Sequence, residues 1–168
     1  MKVDLIPFPQ NPSGPAGCVC VELERDGASL WLRFVVEGDV DRIEWPKAAE
    51  PGRADELWKH TCFEAFVRTA DGYGEFNLSP SGRWASYGFD GYREGMRNAD
   101  EAAVVLGLDA GSDYAALEAR VELPSGADRL ALSAVIEDVD GGLTYWALAH
   151  PSPFPDFHHS DSFALDLP

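Results

Sequence analysis

Glu64 stands inside an otherwise apolar run, Cys62-Phe-Glu-Ala-Phe-Val67. Successive side chains of a strand point to opposite faces, so Cys62, Glu64 and Phe66 share one face while Phe63, Ala65 and Val67 share the other. A carboxylate held between a cysteine and a phenylalanine on a sheet face must be solvated, paired or used. Pairing with Arg83 or Arg93 is the structural alternative; use in binding is the functional one. Two tryptophans flank the run, Trp58 before it and Trp84 after it. An indole face packs well on the C–H side of a pyranose, and Glu64, Asn77 and Arg93 could bond its hydroxyls. Either tryptophan could equally be a core residue.

A second group of candidates lies in His150-Pro-Ser-Pro-Phe-Pro-Asp-Phe-His-His159. Its three prolines stiffen the segment, so Phe154, Phe157 and His158 can form a wall facing Trp58 at little ordering cost. The alternative is a loop packed down by its own phenylalanines. His158 and His159, with Asp156 and Asp161, contain metal-ligand types, but adjacent residues of an extended chain point apart and are poor co-ligands. No metal is therefore expected. The chain has no nucleophile elbow, phosphate loop or dinucleotide fingerprint. A second carboxylate beside Glu64 could make a glycosidase, but only the tertiary geometry would show it. The chemistry expected is recognition without catalysis, and no cofactor.

These side chains must be positioned by strands. Asp71-Gly72 reads as the turn joining the Glu64 strand to a returning strand, Tyr73 to Leu78. Ser79-Pro-Ser-Gly82 then precedes a third strand from Trp84 to Phe89, which would bring Trp58, Glu64, Asn77 and Trp84 into one local sheet. Cys18 to Leu23 and Ser29 to Val36 read as paired strands across Asp26-Gly27. Asp41 to Trp45 could be a short strand, Pro46 to Asp55 a polar loop, and Tyr92 to Met96 irregular. Further strands are expected at 102–108, 114–123, 129–138 and 143–149. No segment carries convincing helical periodicity. Many short strands between Gly, Asp and Pro turns predict an all-β, antiparallel sandwich or barrel.

Leu57-Trp58, Cys62, Glu64 and Phe66, followed by Phe76-Asn77, Pro80 and Gly82, resemble the pattern of DOMON-like domains related to family 9 carbohydrate-binding modules. Asp156 to Phe163 is similar to the last loop and strand of the bacterial stand-alone members. The resemblance implies a jelly-roll or immunoglobulin-like β-sandwich that binds sugar or haem. In family 9 modules, positions similar to Trp58 and Glu64 contact sugar. Some DOMON domains ligate haem iron with Met and His, and the pair available here would be Met96 with one of the four histidines. A module that binds a protein segment is a further alternative.

At 168 residues and 45% hydrophobic composition, the chain suits one domain with a real core. Its net charge of −16 lacks the basic footprint that phosphate binding requires, so nucleic acid and anionic membranes are not expected partners. No apolar run approaches a membrane span or a signal peptide, and a soluble, cytoplasmic protein is expected. Three cysteines make a poor disulfide framework, and Cys18, Cys20 and Cys62 are expected to be reduced core residues.

Overall fold

The computed structural model describes residues 1–167 and contains thirteen strands. They are β1 (Lys2–Pro7), β2 (Ala16–Asp26), β3 (Ser29–Gly38), β4 (Gly52–Arg53), β5 (Cys62–Thr69), β6 (Gly72–Leu78) and β7 (Arg83–Phe89). They continue as β8 (Arg97–Asn98), β9 (Ala103–Ala110), β10 (Tyr114–Glu122), β11 (Arg129–Glu137), β12 (Leu143–Ala147) and β13 (Leu165–Asp166). Among the described residues there is no α-helix, only three single turns of 3₁₀ helix at Val40–Arg42, Leu57–Lys59 and Ser160–Ser162. None of these is long and apolar enough to cross a membrane.

The strands follow one hydrogen-bonded path, β4-β7-β6-β5-β11-β12-β1-β2-β3-β10-β9, with β13 on β11 and β8 on β7. Every pairing is antiparallel except the short parallel contact of β4 with β7. β1 is the corner of the path. Its first residues pair with β2 and its last two, Ile6 and Pro7, pair with β12. The all-β, antiparallel expectation is thus met by a strongly curled, nearly closed sheet.

Period-two alternation builds the core. On β2 and β3, Val19, Val21, Leu23, Leu30, Leu32, Phe34 and Val36 turn inward and are essentially fully buried. They meet Phe63, Ala65, Val67, Phe76 and Leu78 from β5 and β6, with the rings of Phe34 and Phe63 5.0 Å apart. Burial of this continuous apolar surface is the main stabilising term. Gly72 opens β6 at φ +142°, close against the backbone of Phe89, where a side chain would collide with the Phe89 carbonyl.

Several segments differ from expectation. Lys2–Pro7 is a strand, although its short length and two prolines nearby gave no clear period. Asp41 to Trp45 is not a strand: Val40–Arg42 forms a 3₁₀ turn and Ile43 makes a single bridge to Asp138. The polar loop 46–55 contains β4. Strand formation at the C-terminal end falls at Leu165–Asp166, beyond the segment 156–163. Cys62 and Cys20 are buried and reduced, but Cys18 is exposed on the outer face of β2, its thiol 3.4 Å from a Glu37 carboxylate oxygen.

Candidate functional site

β5 differs from most strands in being buried on both faces along Cys62 to Val67. Its inner face joins the main core. Its outer face carries Cys62, Glu64 and Phe66 under a second apolar cluster of Phe66, Tyr73, Ala85, Tyr87, Phe89, Ala131 and Phe163. Leu57, Trp58 and Phe157 pack against that cluster. The cover therefore comes from the 57–59 turn and the C-terminal segment, which leave a cavity of about 580 Å³ over the outer face. Arg93 and Met96 reach it from the loop after β7, and Val135, Leu143 and Tyr145 from β11 and β12.

The floor is made by strand register. Glu64 faces Asn77 on β6 and Ser133 on β11, while Glu75 faces Phe66. Glu64 and Glu75 are thus diagonal neighbours on adjacent strands, within reach of each other's long side chains. Both are buried, at 3% and 5% exposure. The Ser133 hydroxyl donates to Glu64 Oε2 at 2.8 Å, and Asn77 Nδ2 donates to Glu75 Oε1 at 2.7 Å. Burial and then the charge of Glu75 push the Glu64 carboxyl up to about 8, against the opposing pull of Ser133 and Arg93. Burial likewise raises Glu75 to about 7, against Asn77 and Arg93. At neutral pH the pair therefore holds on to a proton that two exposed carboxyls would have lost.

His158 closes one wall. Its ring meets Phe66 and Phe89 edge-on, and its Nδ1 lies 2.7 Å from the Tyr73 hydroxyl. That hydroxyl accepts from Arg93 N at 3.2 Å. The arrangement satisfying all three groups has Tyr73 donating to Nδ1, which leaves the imidazole proton on Nε2, 3.8 Å from Glu75 Oε2. Burial and the Arg93 charge lower His158 to about 4, so the ring is neutral at pH 7.

Asp156 anchors this wall to the 92–96 loop. It is 4% exposed and accepts from Tyr92 Oη at 2.6 Å, Arg93 Nη2 at 3.1 Å and His158 N at 3.2 Å. Burial alone would raise its pKa, but these donors outweigh burial and hold it below the ordinary value. Arg93 itself adopts a left-handed backbone, φ +56°. Such a conformation is costly for an arginine and persists where neighbouring bonds enforce it.

Of the residues picked out from sequence, Trp58, Glu64, Arg93, Phe157 and His158 line the cavity. Asn77 is fully buried beneath it and orients Glu75. Trp84 and Phe154 do not belong to it. On β7 the residues that reach the cavity side are Ala85, Tyr87 and Phe89, so Trp84 points the other way, onto the main core, with the Arg53 guanidinium 4.6 Å above its ring. Phe154 points outward at 57% exposure. Glu64 has no ion pair with Arg83 or Arg93; its direct partner is a hydroxyl.

Sequence reasoning missed Glu75, Ser133, Phe89 and Tyr145. Glu75 carried a signal, since it shares parity with Asn77 between the apolar positions Phe76 and Leu78; Ser133 carried none. Among the described residues no group of three or more His, Cys, Asp or Glu is arranged to hold a metal ion.

The fold is an all-β one known from solved structures. The chain superimposes on the crystal structure of a "putative carbohydrate-binding protein" from Bacteroides uniformis with a TM-score of 0.64. The match covers 97% of this chain and 84% of that one at 16% identity. No family model and no curated protein sequence matches the chain.

Proposed function

We propose that the protein is a non-catalytic carbohydrate-binding domain, a jelly-roll β-sandwich of the DOMON-like type related to family 9 modules. One observation carries this reading: Trp58 and the two carboxyls Glu64 and Glu75 line one cavity, of a size typical for small-molecule sites, roughly 300–1,000 Å³. Trp58 is braced edge-on by Tyr87, their ring centroids 6.2 Å apart, and can serve as a fixed platform for a sugar ring. Glu64 and Glu75 then meet the ring hydroxyls, while Phe157 and Tyr145 complete the apolar wall. The structural neighbour's description supports the same class of ligand.

A glycan array followed by titration of the best saccharide tests the proposal. Trp58→Ala should weaken binding by about 1–3 kcal/mol, the range for losing a large apolar contact. Unchanged affinity in that variant would overturn the site assignment.

A second reading rests on Met96 and His158, which line the same cavity and are the residue types that ligate haem iron in some DOMON domains. The residues do not fit that role. His158 Nδ1 is held by Tyr73, and Nε2, the one nitrogen left to reach an iron, faces the buried Glu75 carboxyl at 3.8 Å, a neighbour that a haem bound here would have to displace.

A further inference from the structure

We propose that the cavity selects a ligand bearing a protonated primary amine, so that, given the saccharide reading above, the preferred ligand is an amino sugar rather than a neutral one. The floor carries two carboxyls, and every hydrogen bond they receive comes from a neutral donor, Ser133 or Asn77. Glu64, 97% buried by its 3% exposure, lines the cavity, yet its Oε1 accepts no hydrogen bond from any described residue. The Oε2 of Glu75 accepts no hydrogen bond from any described residue, His158 Nε2 standing 3.8 Å away, beyond hydrogen-bond reach.

The two cations that also line the cavity are committed elsewhere. Lys59 Nζ bonds Glu56 at 2.6 Å, and Arg93 Nη2 bonds Asp156 at 3.1 Å. Arg93 acts on the pair only through space, and burial overrides it. The remaining titratable neighbours, His158 and Tyr73, are neutral at pH 7 and bonded to each other. No cationic side chain among the described residues bonds the pair, so a ligand cation can take that place. An ammonium group between Glu64 and Glu75 would compensate both buried charges, and the flanking faces of Trp58, Phe66 and Phe157 would add cation–π attraction. A neutral hydroxyl offers neither.

Binding of the ammonium should drive both carboxyls to ionise, so it should release protons to the buffer. Isothermal titration at pH 7, in two buffers of different ionisation enthalpy, reads this directly. Four probes are compared: glucose, N-acetylglucosamine, glucosamine and cyclohexylamine, the last a cation of ring size without hydroxyls. The expected result is glucosamine binding at least tenfold tighter than glucose and N-acetylglucosamine, with net proton release. Glu64→Gln and Glu75→Gln should each abolish that preference; each removes a carboxyl that the ammonium would ionise and pair with, and circular dichroism checks that they fold.

Glucose binding as tightly as glucosamine, or glucosamine binding without proton release, would overturn the inference while leaving the saccharide reading standing. Cyclohexylamine binding when no sugar does would keep the cationic selectivity and overturn the saccharide reading. Failure of all four probes would overturn both.

Discussion

Glu64 on β5 and Glu75 on β6 lie diagonally across an antiparallel register in which Glu64 faces Asn77 and Glu75 faces Phe66, so two buried carboxyls share one floor. Like charges so placed cannot both ionise cheaply, and the protein's stability should report it.

The pH dependence has a defined sign. Glu64 and Glu75 are raised from an ordinary 4.5 to about 8 and about 7, so the stability they allow is complete below pH 4.5 and is lost as pH rises through those values. His158 is lowered from 6.5 to about 4 and acts oppositely, its contribution lost as pH falls below 6.5. Two carboxyls outweigh one imidazole between pH 4.5 and 6.5, and above that the carboxyls act alone. Urea unfolding should therefore show stability falling from about pH 5 to pH 8, each carboxyl contributing on the order of 1 kcal/mol per pH unit while it titrates. A rise over that window would contradict the buried pair.

Glu64→Gln should flatten this profile and make the protein more stable than wild type at pH 8. The amide keeps the Ser133 hydrogen-bond partner and removes a charge that burial disfavours. Thermal melts at pH 5 and pH 8 check it: the variant's advantage should appear only at the higher pH.

The two tryptophans should separate cleanly. Trp84 packs on the main core, and its replacement by Ala should destabilise by about 2–4 kcal/mol. Trp58 rests on the second cluster at the cavity mouth, so Trp58→Ala should cost less stability but more binding. The opposite ranking of melting temperatures would make Trp58 a core residue.

Asp156→Ala should loosen the wall without unfolding the sheet. It removes the acceptor shared by Tyr92, Arg93 and the His158 amide, and the half-exposed Arg93 can recover water, so the expected loss is about 1–3 kcal/mol. Amide exchange should quicken at His158 and in 92–96 while β2 and β3 stay protected. Uniform loss of protection would mean that Asp156 supports the whole fold.

Haemin offered to the protein should produce no shifted Soret band. A band that vanishes in Met96→Ala would reverse the ranking of the two readings.

Alternation along the chain was enough to determine an all-β fold, the hairpin at Asp71-Gly72 and the odd position of Glu64, because a carboxylate out of phase with its apolar neighbours is visible locally. Which face of each strand meets which partner was not. Trp58 and Trp84 are the same residue in similar aromatic settings, yet Trp84 falls on the inward parity of β7 and Trp58 on a turn outside it. Ser133 reaches Glu64 from 69 residues away, through the β5–β11 register that only the folded sheet sets. Glu75 was visible as a strand carboxylate, but its nearness to Glu64 depends on the same pairing. Side-chain period is a local property of the backbone; register, and the roof that the C-terminal segment lays over β5, arise from packing between residues far apart in the chain. The tertiary structure therefore decided that the candidate site is a buried pair of carboxyls under an aromatic roof rather than an open strand face.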